Sequence, residues 1–472
     1  MTSSSKNPYR RPFITITFLF FMWGFITVMN DVLIPHLKAS FELSYLQASL
    51  VQSAFFGAFF FVSLAYFLIS VSAGDPISRV GYKNSIILGL VICGVGCALF
   101  YPAAEYKTYS FFLGALFVLA SGVTILQIAA NPYAARLGAP ETETSRLNLA
   151  QGFNSLGTTL APVAGAILIF KVFSDGTITV DSLKAPYLIF GGAFFLLALV
   201  VKGATLPKIA SEEIVSGTEV LKFRHLTLGM IAIFCYVGGE VAVGSFLINF
   251  FQLETIMGLE EAEGSKFLAF YWGGAMIGRF LGAVSMGSMT DTVKRYGVMA
   301  LLSLSSFLFI YLVTGIENEN GVFSLDLLPF GEVALFLVFL LLNFLGFVFG
   351  RGNPARTLSI FAFAVILLLI ATTFSSGSTA FWCAIAIGAF NSILWSNIFT
   401  LAIKDLGEYT SQGSSLLVMM IVGGAVIPAC QGAVADLLGS IQLSFLVPLA
   451  CYAYVLFYGL SGHRMRSEPL PR

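Results

Sequence analysis

The chain has 472 residues, 57% of them hydrophobic and only 11% charged, with a mean hydropathy of +0.88; soluble domains carry about 25% charged residues, so a water-soluble globule is excluded. Twenty-five Lys and Arg cancel 25 Asp and Glu, which leaves no net charge for nucleic acid or another polyanion. The remaining solvent is lipid, where only helices and closed barrels satisfy their own backbone.

The apolar runs are continuous over about twenty residues, the length of a membrane-crossing helix, and show none of the roughly ten-residue alternation of barrel strands. In chain order they predict spans near 13–35, 46–71, 84–103, 109–135, 147–172 and 184–204. A second set follows near 227–252, 265–289, 296–315, 329–350, 356–374, 379–403, 414–438 and 441–461. The first run is too long for a signal peptide and has no small-residue cleavage site, so it is expected to stay as a span. The longest polar stretch, Lys208 to Arg224, separates the two sets. This divides the chain into an N-terminal six-helix bundle (1–207), a cytoplasmic linker (208–225) and a C-terminal bundle (226–472). With about fourteen spans, nineteen of the 25 Lys and Arg lie on the side of the N-terminus, five on the other, and Arg279 inside a span. That asymmetry places both termini in the cytoplasm.

A faint repeat links the halves. Gly157-Thr-Thr-Leu-Ala-Pro162 in the fifth span mirrors Gly423-Gly-Ala-Val-Ile-Pro428 in the thirteenth, each after a loop beginning Leu-Gly. Repeated helical halves are a transporter design. Gln151 and Asn154 of the first copy fall opposite Leu417 and Met420 of the second, so the polar chemistry is concentrated in the first half. The six cysteines lie in apolar runs without zinc-site spacing and are expected to be small core hydrophobes.

An ionisable group inside hydrocarbon costs about 2.5–3.5 kcal/mol even on the lenient insertion scale, so Asp31, Glu240 and Arg279 each need a reason. Asp31 stands late in the first span, where it either caps a helix end or takes up a proton or small cation. Glu240, in Cys235-Tyr-Val-Gly-Gly-Glu240, sits near the middle of the seventh span; it serves a ligand or pairs with Arg279. Arg279 itself is expected to act as a gate or helix-end contact.

Uncharged amides form a second layer. Gln127 and Asn131 are one helical turn apart and share a face; Asn148, Gln151 and Asn154 recur at three-residue steps on another helix. Asn391, Trp395 and Asn397 bring amides and an indole to the twelfth span. Amides donate and accept at once, which suits a ring of hydroxyls, and an indole face suits the apolar side of a sugar. A lone interhelical amide bond is worth only about 0.6 kcal/mol on average; stripes on two helices beside an acid point instead to a polar cavity. The loop Gly74-Asp-Pro-Ile-Ser-Arg79-Val-Gly81-Tyr-Lys83 is short and basic, and its cations are placed to hold helix-end carbonyls. No phosphate loop, HExxH or GxSxG appears, which argues against an ATP-driven pump and a hydrolase.

That loop resembles the signature of the major facilitator superfamily, with Ser78 where the family usually has Asp and Tyr82 where a basic residue is common. A closer resemblance is to its fucose and glucose/galactose symporter family. It is carried by Trp23-Gly-Phe-Ile-Thr-Val-Met-Asn-Asp31, Ala129-Ala-Asn-Pro132, Arg146-Leu-Asn-Leu-Ala-Gln-Gly-Phe-Asn-Ser155, Phe234-Cys-Tyr-Val-Gly238 and Gly413-Ser-Ser415. The resemblance implies an all-α, two-bundle fold and cation-driven uptake of a monosaccharide by alternating access. It implies that Asp31 is the coupling acid and that Gln151 and Asn154 bind sugar. Gln127 matches a position that is Glu in fucose/proton symporters. An amide carries no such proton but ligates a hard cation through oxygen, which favours Na⁺ over H⁺. Glu240 falls where the fucose branch has Gln. The superfamily normally has twelve spans; two extra runs, near 296–315 and 329–350, are inserted after the eighth and are expected to face lipid.

The sequence therefore predicts a bacterial inner-membrane sugar symporter, not an enzyme, working as a monomer without a cofactor beyond the co-transported ion. Expected sugar contacts are Gln127, Gln151, Asn154, Glu240, Asn249, Trp395 and Asn397. Expected ligands of the coupling cation are Asn30, Asp31 and Asn131, with Na⁺ on Asp31. Gly74, Arg79, Gly81, Lys83 and Arg279 are the gating or structural set. A proton-coupled symporter is the nearest alternative. A membrane-embedded sugar or lipid transferase would need larger polar loops, and a channel would need a polar path through both halves.

Overall fold

The computed structural model describes residues 9–42, 45–166, 180–208, 215–319 and 322–465. The predicted end of the fifth span (167–172) and linker residues 209–214 lie outside them. Fourteen helical spans follow in order: Arg10–Ser40, Tyr45–Ala73, Tyr82–Glu105, Tyr109–Arg136, Glu143–Ala166, Lys184–Gly203, Arg224–Phe251, Glu261–Ser285, Thr292–Thr314, Phe330–Gly350, Pro354–Phe374, Gly377–Ala402, Gly407–Leu438 and Ile441–Gly462. Among the described residues thirteen are long and apolar enough to cross a membrane. The exception is the fifth, whose described part carries Asn148, Gln151, Asn154, Ser155, Thr158 and Thr159. This is a multi-pass membrane protein.

Local chemistry sets the helix ends. Asp75, Asp291 and Asn353 accept from the backbone N–H three residues on, with Pro following Asp75 and Asn353 at the first helical position, the arrangement that satisfies orphan donors at a helix start. Gly439, at φ +60°, closes the thirteenth span in the left-handed conformation that favours glycine. Two features had no sign in the apolar pattern. An antiparallel hairpin, Ile316–Glu319 with Val322–Leu325, joins the ninth and tenth spans. The twelfth span is broken at Ser392–Ile393 into Gly377–Asn391 and Leu394–Ala402; Ser392 Oγ donates to the Ala389 carbonyl at 2.7 Å, a back-bond of the kind that bends helices.

The chain forms two compact units, Met1–Gly217 with Gly407–Val418, and Thr218–Leu406 with Met419–Arg472. Each has its own apolar core, built in the first around residues such as Leu19, Leu90, Leu119 and Phe194, and in the second around Ile233, Phe250, Ile277 and Leu394. The repeat seen in the sequence returns as packing. A Cβ on Gly157 would lie 2.3 Å from the carbonyl oxygen of Phe21 in the first span, and one on Gly423 would lie 2.2 Å from that of Phe234 in the seventh. In each unit a glycine thus lets two helix backbones touch. The inserted ninth and tenth spans belong to the second unit. They bury Met299, Phe307, Ile310, Val333, Phe336 and Leu340 and expose Leu301, Leu304, Leu308, Leu341 and Leu342, a one-sided apolar surface suited to acyl chains.

Candidate functional site

In the first unit one amide of the fourth span meets one of the fifth. Gln151 Nε2 donates to Asn131 Oδ1 at 3.3 Å, and Asn131 Nδ2 donates to the Gln127 main-chain carbonyl at 3.0 Å. Asn131 is fully buried, Gln151 is buried, and Gln127 is half-buried at the near end. Asn154, half-buried, donates to the Phe20 carbonyl of the first span at 3.0 Å. A Cβ on Gly24 would lie 2.2 Å from the Asn154 carbonyl oxygen, so the two helices meet backbone to backbone there. The structure therefore joins the side chains of Asn131 and Gln151, places Gln127 one turn from Asn131 with only its main-chain carbonyl engaged, and sets Asn154 against the first span. Asn30 and Asp31 lie on the first span's helix, and their side chains are outside the described residues.

In the second unit the polar groups converge on Glu240, which is buried on the seventh span. Tyr236, one turn earlier, donates to Glu240 Oε1 at 2.8 Å, with a longer leg of 3.3 Å to the Asn391 carbonyl. Arg279 Nη2 stands 3.8 Å from the same carboxylate oxygen, and its Nε donates to the Ser392 carbonyl at 3.1 Å. Tyr271 donates to the Glu240 main-chain carbonyl at 2.9 Å and accepts from Asn391 Nδ2 at 3.0 Å. Tyr452 donates to Asn391 Oδ1 at 2.6 Å. The carboxylate, guanidinium, three phenols and one amide are thus a single network around the break in the twelfth span.

Beyond the break, Trp395 is 7% exposed and stacks on Phe399 with ring centres 6.0 Å apart. Its indole N–H is buried with no hydrogen-bond partner, as is the hydroxyl of Ser396. Asn397 is fully buried and donates to the Pro354 carbonyl at 2.9 Å. Asn249 is exposed near the end of the seventh span and stands apart from this network.

The loop between the second and third spans holds helix ends. Arg79 donates to the Ala73 carbonyl, and Lys83 Nζ donates to the carbonyls of Lys202 at 2.7 Å and Ala204 at 2.8 Å, at the end of the sixth span. Gly74 and Gly81 adopt φ of +89° and +82°. The residue that sequence reasoning missed is Asp75. Its carboxylate is fully buried and accepts from Tyr66 Oη (2.6 Å), Ser70 Oγ (3.3 Å), Ser78 N (2.8 Å), Ser78 Oγ (3.0 Å) and Ser411 Oγ (2.6 Å). The signature's usual Asp is Ser78 here, and a carboxylate three residues earlier occupies the centre of the loop. Arg136 adds donors to the Gly407 carbonyl and Thr410 Oγ1. The three phenols around Glu240 were also missed; only the four-residue step from Tyr236 to Glu240 signals any of them.

A multi-pass helical protein in two units, with buried amides in one and a buried ion pair in the other, has the architecture of a membrane carrier. Residues 13–328 match the Major Facilitator Superfamily, and the chain belongs to that superfamily: it is a transporter, not an enzyme. It is 43% identical over 469 residues to the glucose/galactose transporter of Brucella abortus biovar 1 (strain 9-941), covering 98% of this chain and 96% of that one. It is 29% identical over 492 residues to the L-fucose-proton symporter of Escherichia coli (strain K12), covering 99% and 95%. The crystal structure of the transporter FucP in the outward conformation superposes with a TM-score of 0.73 at 28% identity, over 96% of this chain and 99% of that one.

Proposed function

We propose that the protein is a cation-coupled symporter of a monosaccharide such as glucose or galactose, working by alternating access in a bacterial inner membrane with both termini in the cytoplasm. The observation that carries this is the buried amide pair Asn131–Gln151, linking the fourth and fifth spans inside a bilayer-spanning unit, in a chain 43% identical over nearly its whole length to a protein named for these two sugars. Sugar contacts are assigned to Gln127, Gln151 and Asn154 in the first unit and to Glu240 and Trp395 in the second. Asn131 holds Gln151 in place, and Asn397 holds the resumed helix beside Trp395.

Na⁺ is the favoured coupling ion, taken up at Asp31 with Asn30. The amide of Gln127 carries no proton, so the step that an acid would perform at that position is missing. A second reading is proton coupling. It is favoured by the similarity to an L-fucose-proton symporter and by Glu240, a carboxylate buried within the second unit. Cation binding stabilises the sugar-ready state, so cation and sugar raise each other's affinity by the same factor.

The test is uptake into proteoliposomes of the purified chain across a sugar panel, with sodium and proton gradients imposed separately. Asp31→Asn is expected to abolish gradient-driven accumulation and to spare sugar exchange. Accumulation by that mutant would remove Asp31 from coupling. Accumulation driven by a proton gradient alone, with no response to sodium, would install the second reading.

A further inference from the structure

The inserted ninth and tenth spans carry one polar residue that membrane packing does not explain. Asn343 sits in the tenth span, within Phe330–Gly350, and is fully buried. An Asn in hydrocarbon is expensive and is retained where its hydrogen bonds matter. Its amide donates across to the twelfth span, to the carbonyl of Ala389, at 2.8 Å.

That carbonyl is one of three beside the break at Ser392–Ile393. Ala389 O accepts from Asn343 and Ser392 Oγ, Asn391 O from Tyr236, and Ser392 O from Arg279. A broken helix leaves carbonyls without their usual partners, and at membrane depth each must find another. The seventh, eighth and tenth spans each supply one. The approach is close throughout: a Cβ on Gly388 would lie 1.9 Å from the Tyr271 carbonyl oxygen, and one on Gly278 would lie 2.1 Å from Ser392 Oγ. Aromatic contacts continue the same brace, with Phe347 of the tenth span on Phe361 at 4.8 Å and Phe361 on Phe390 at 5.4 Å. The helix resumes at Leu394, and its second residue is Trp395, whose indole N–H is buried and without a partner.

We propose that Asn343 is a positioning residue: the inserted tenth span braces the break in the twelfth span, and the break sets the direction of the Trp395 indole N–H toward a sugar hydroxyl. The brace stands on the geometry of the second unit alone; its consequence for transport rests on Trp395 being a sugar contact, as proposed above. The inserted tenth span then belongs to the binding machinery as well as to the lipid face.

The test uses the full chain with Asn343→Leu, Trp395→Phe and the double variant, and Asn343→Ala as a smaller change if the leucine variant does not fold. Asn343→Leu is expected to speed amide exchange in residues 389–397. It is also expected to raise the KM for D-galactose by about threefold to tenfold, the span of one hydrogen bond's net contribution, with the maximal rate little changed. On the Trp395→Phe background the same substitution should add nothing, because the group it positions is gone. Unchanged exchange in residues 389–397 would overturn the brace. An equal KM rise on both backgrounds would overturn its action through Trp395. A Trp395→Phe variant with wild-type KM would instead overturn Trp395 as a sugar contact, and exchange would then decide the brace by itself.

Discussion

Glu240 and Arg279 are each mostly buried, with side chains 12% exposed, and they stand 3.8 Å apart. Taking one partner from a buried pair leaves an uncompensated charge and costs about 3–5 kcal/mol, whereas replacing both is far milder. Arg279→Gln is therefore expected to lower stability by roughly 3 kcal/mol. Glu240→Gln/Arg279→Gln should recover most of that, as read by thermal unfolding of the purified protein in detergent. A double variant as unstable as the two single losses summed would mean that the pair contributes nothing as a pair. The sequence exposed both residues because an ionisable group in an apolar run is rare. It did not expose Tyr236, Tyr271 and Tyr452, since a tyrosine in such a run is ordinary and only the fold shows where its hydroxyl points. Asp75 was hidden for a related reason: an Asp before a Pro in a short loop looks like a simple helix cap, which it also is, and its bond to Ser411 spans 336 residues of sequence.

Among the elements, the helical piece Thr410–Met419 depends most visibly on one carboxylate. Up to Val418 it is grouped with the first unit, while the rest of its span, from Met419 on, belongs to the second. Asp75 receives five hydrogen bonds and leaves no obvious substitute if it is lost, because buried donors stripped of an acceptor cost about 1–3 kcal/mol. In Asp75→Ala the amides of residues 410–418 are expected to exchange with solvent faster, and the third and fourth spans to keep their protection. Unaltered exchange in 410–418 would show that Ser411 is held by packing alone. Helix positions were legible from hydropathy because bilayer thickness fixes their length. The break in the twelfth span was not, since Phe390-Asn391-Ser392-Ile393-Leu394 contains neither Pro nor Gly, and the side chains that meet its carbonyls, Arg279, Tyr236 and Asn343, come from three other spans. The Gly157 and Gly423 repeat was legible as a pattern of residues, but its meaning, two backbones in contact within each unit, needed the fold.

At the scale of the whole molecule, the two inserted spans raise a question of sidedness. A single extra crossing would move every later loop to the opposite face and scatter Arg351, Arg356, Lys404 and Arg464 away from the other cations; an even pair keeps them together. With both termini in the cytoplasm, as proposed, the hairpin Ile316–Glu319/Val322–Leu325 is expected outside and the turn at Arg351–Gly352 inside. Truncated chains fused to reporters separate the cases. A phosphatase joined after Asp326 is expected to be active, because it folds only outside the cytoplasm. A fluorescent protein joined after Gly352, or to the full chain, is expected to fluoresce. A dark fluorescent fusion and an active phosphatase fusion at Gly352, beside a dark full-length fusion, would mean that the tenth run does not cross. The basis for expecting otherwise is the tenth span's 21 residues, the most apolar of all the spans. Asn343, at the middle of that run, finds its partner on the twelfth span at 2.8 Å, and a helix lying outside the bilayer would have no need to bury an amide there.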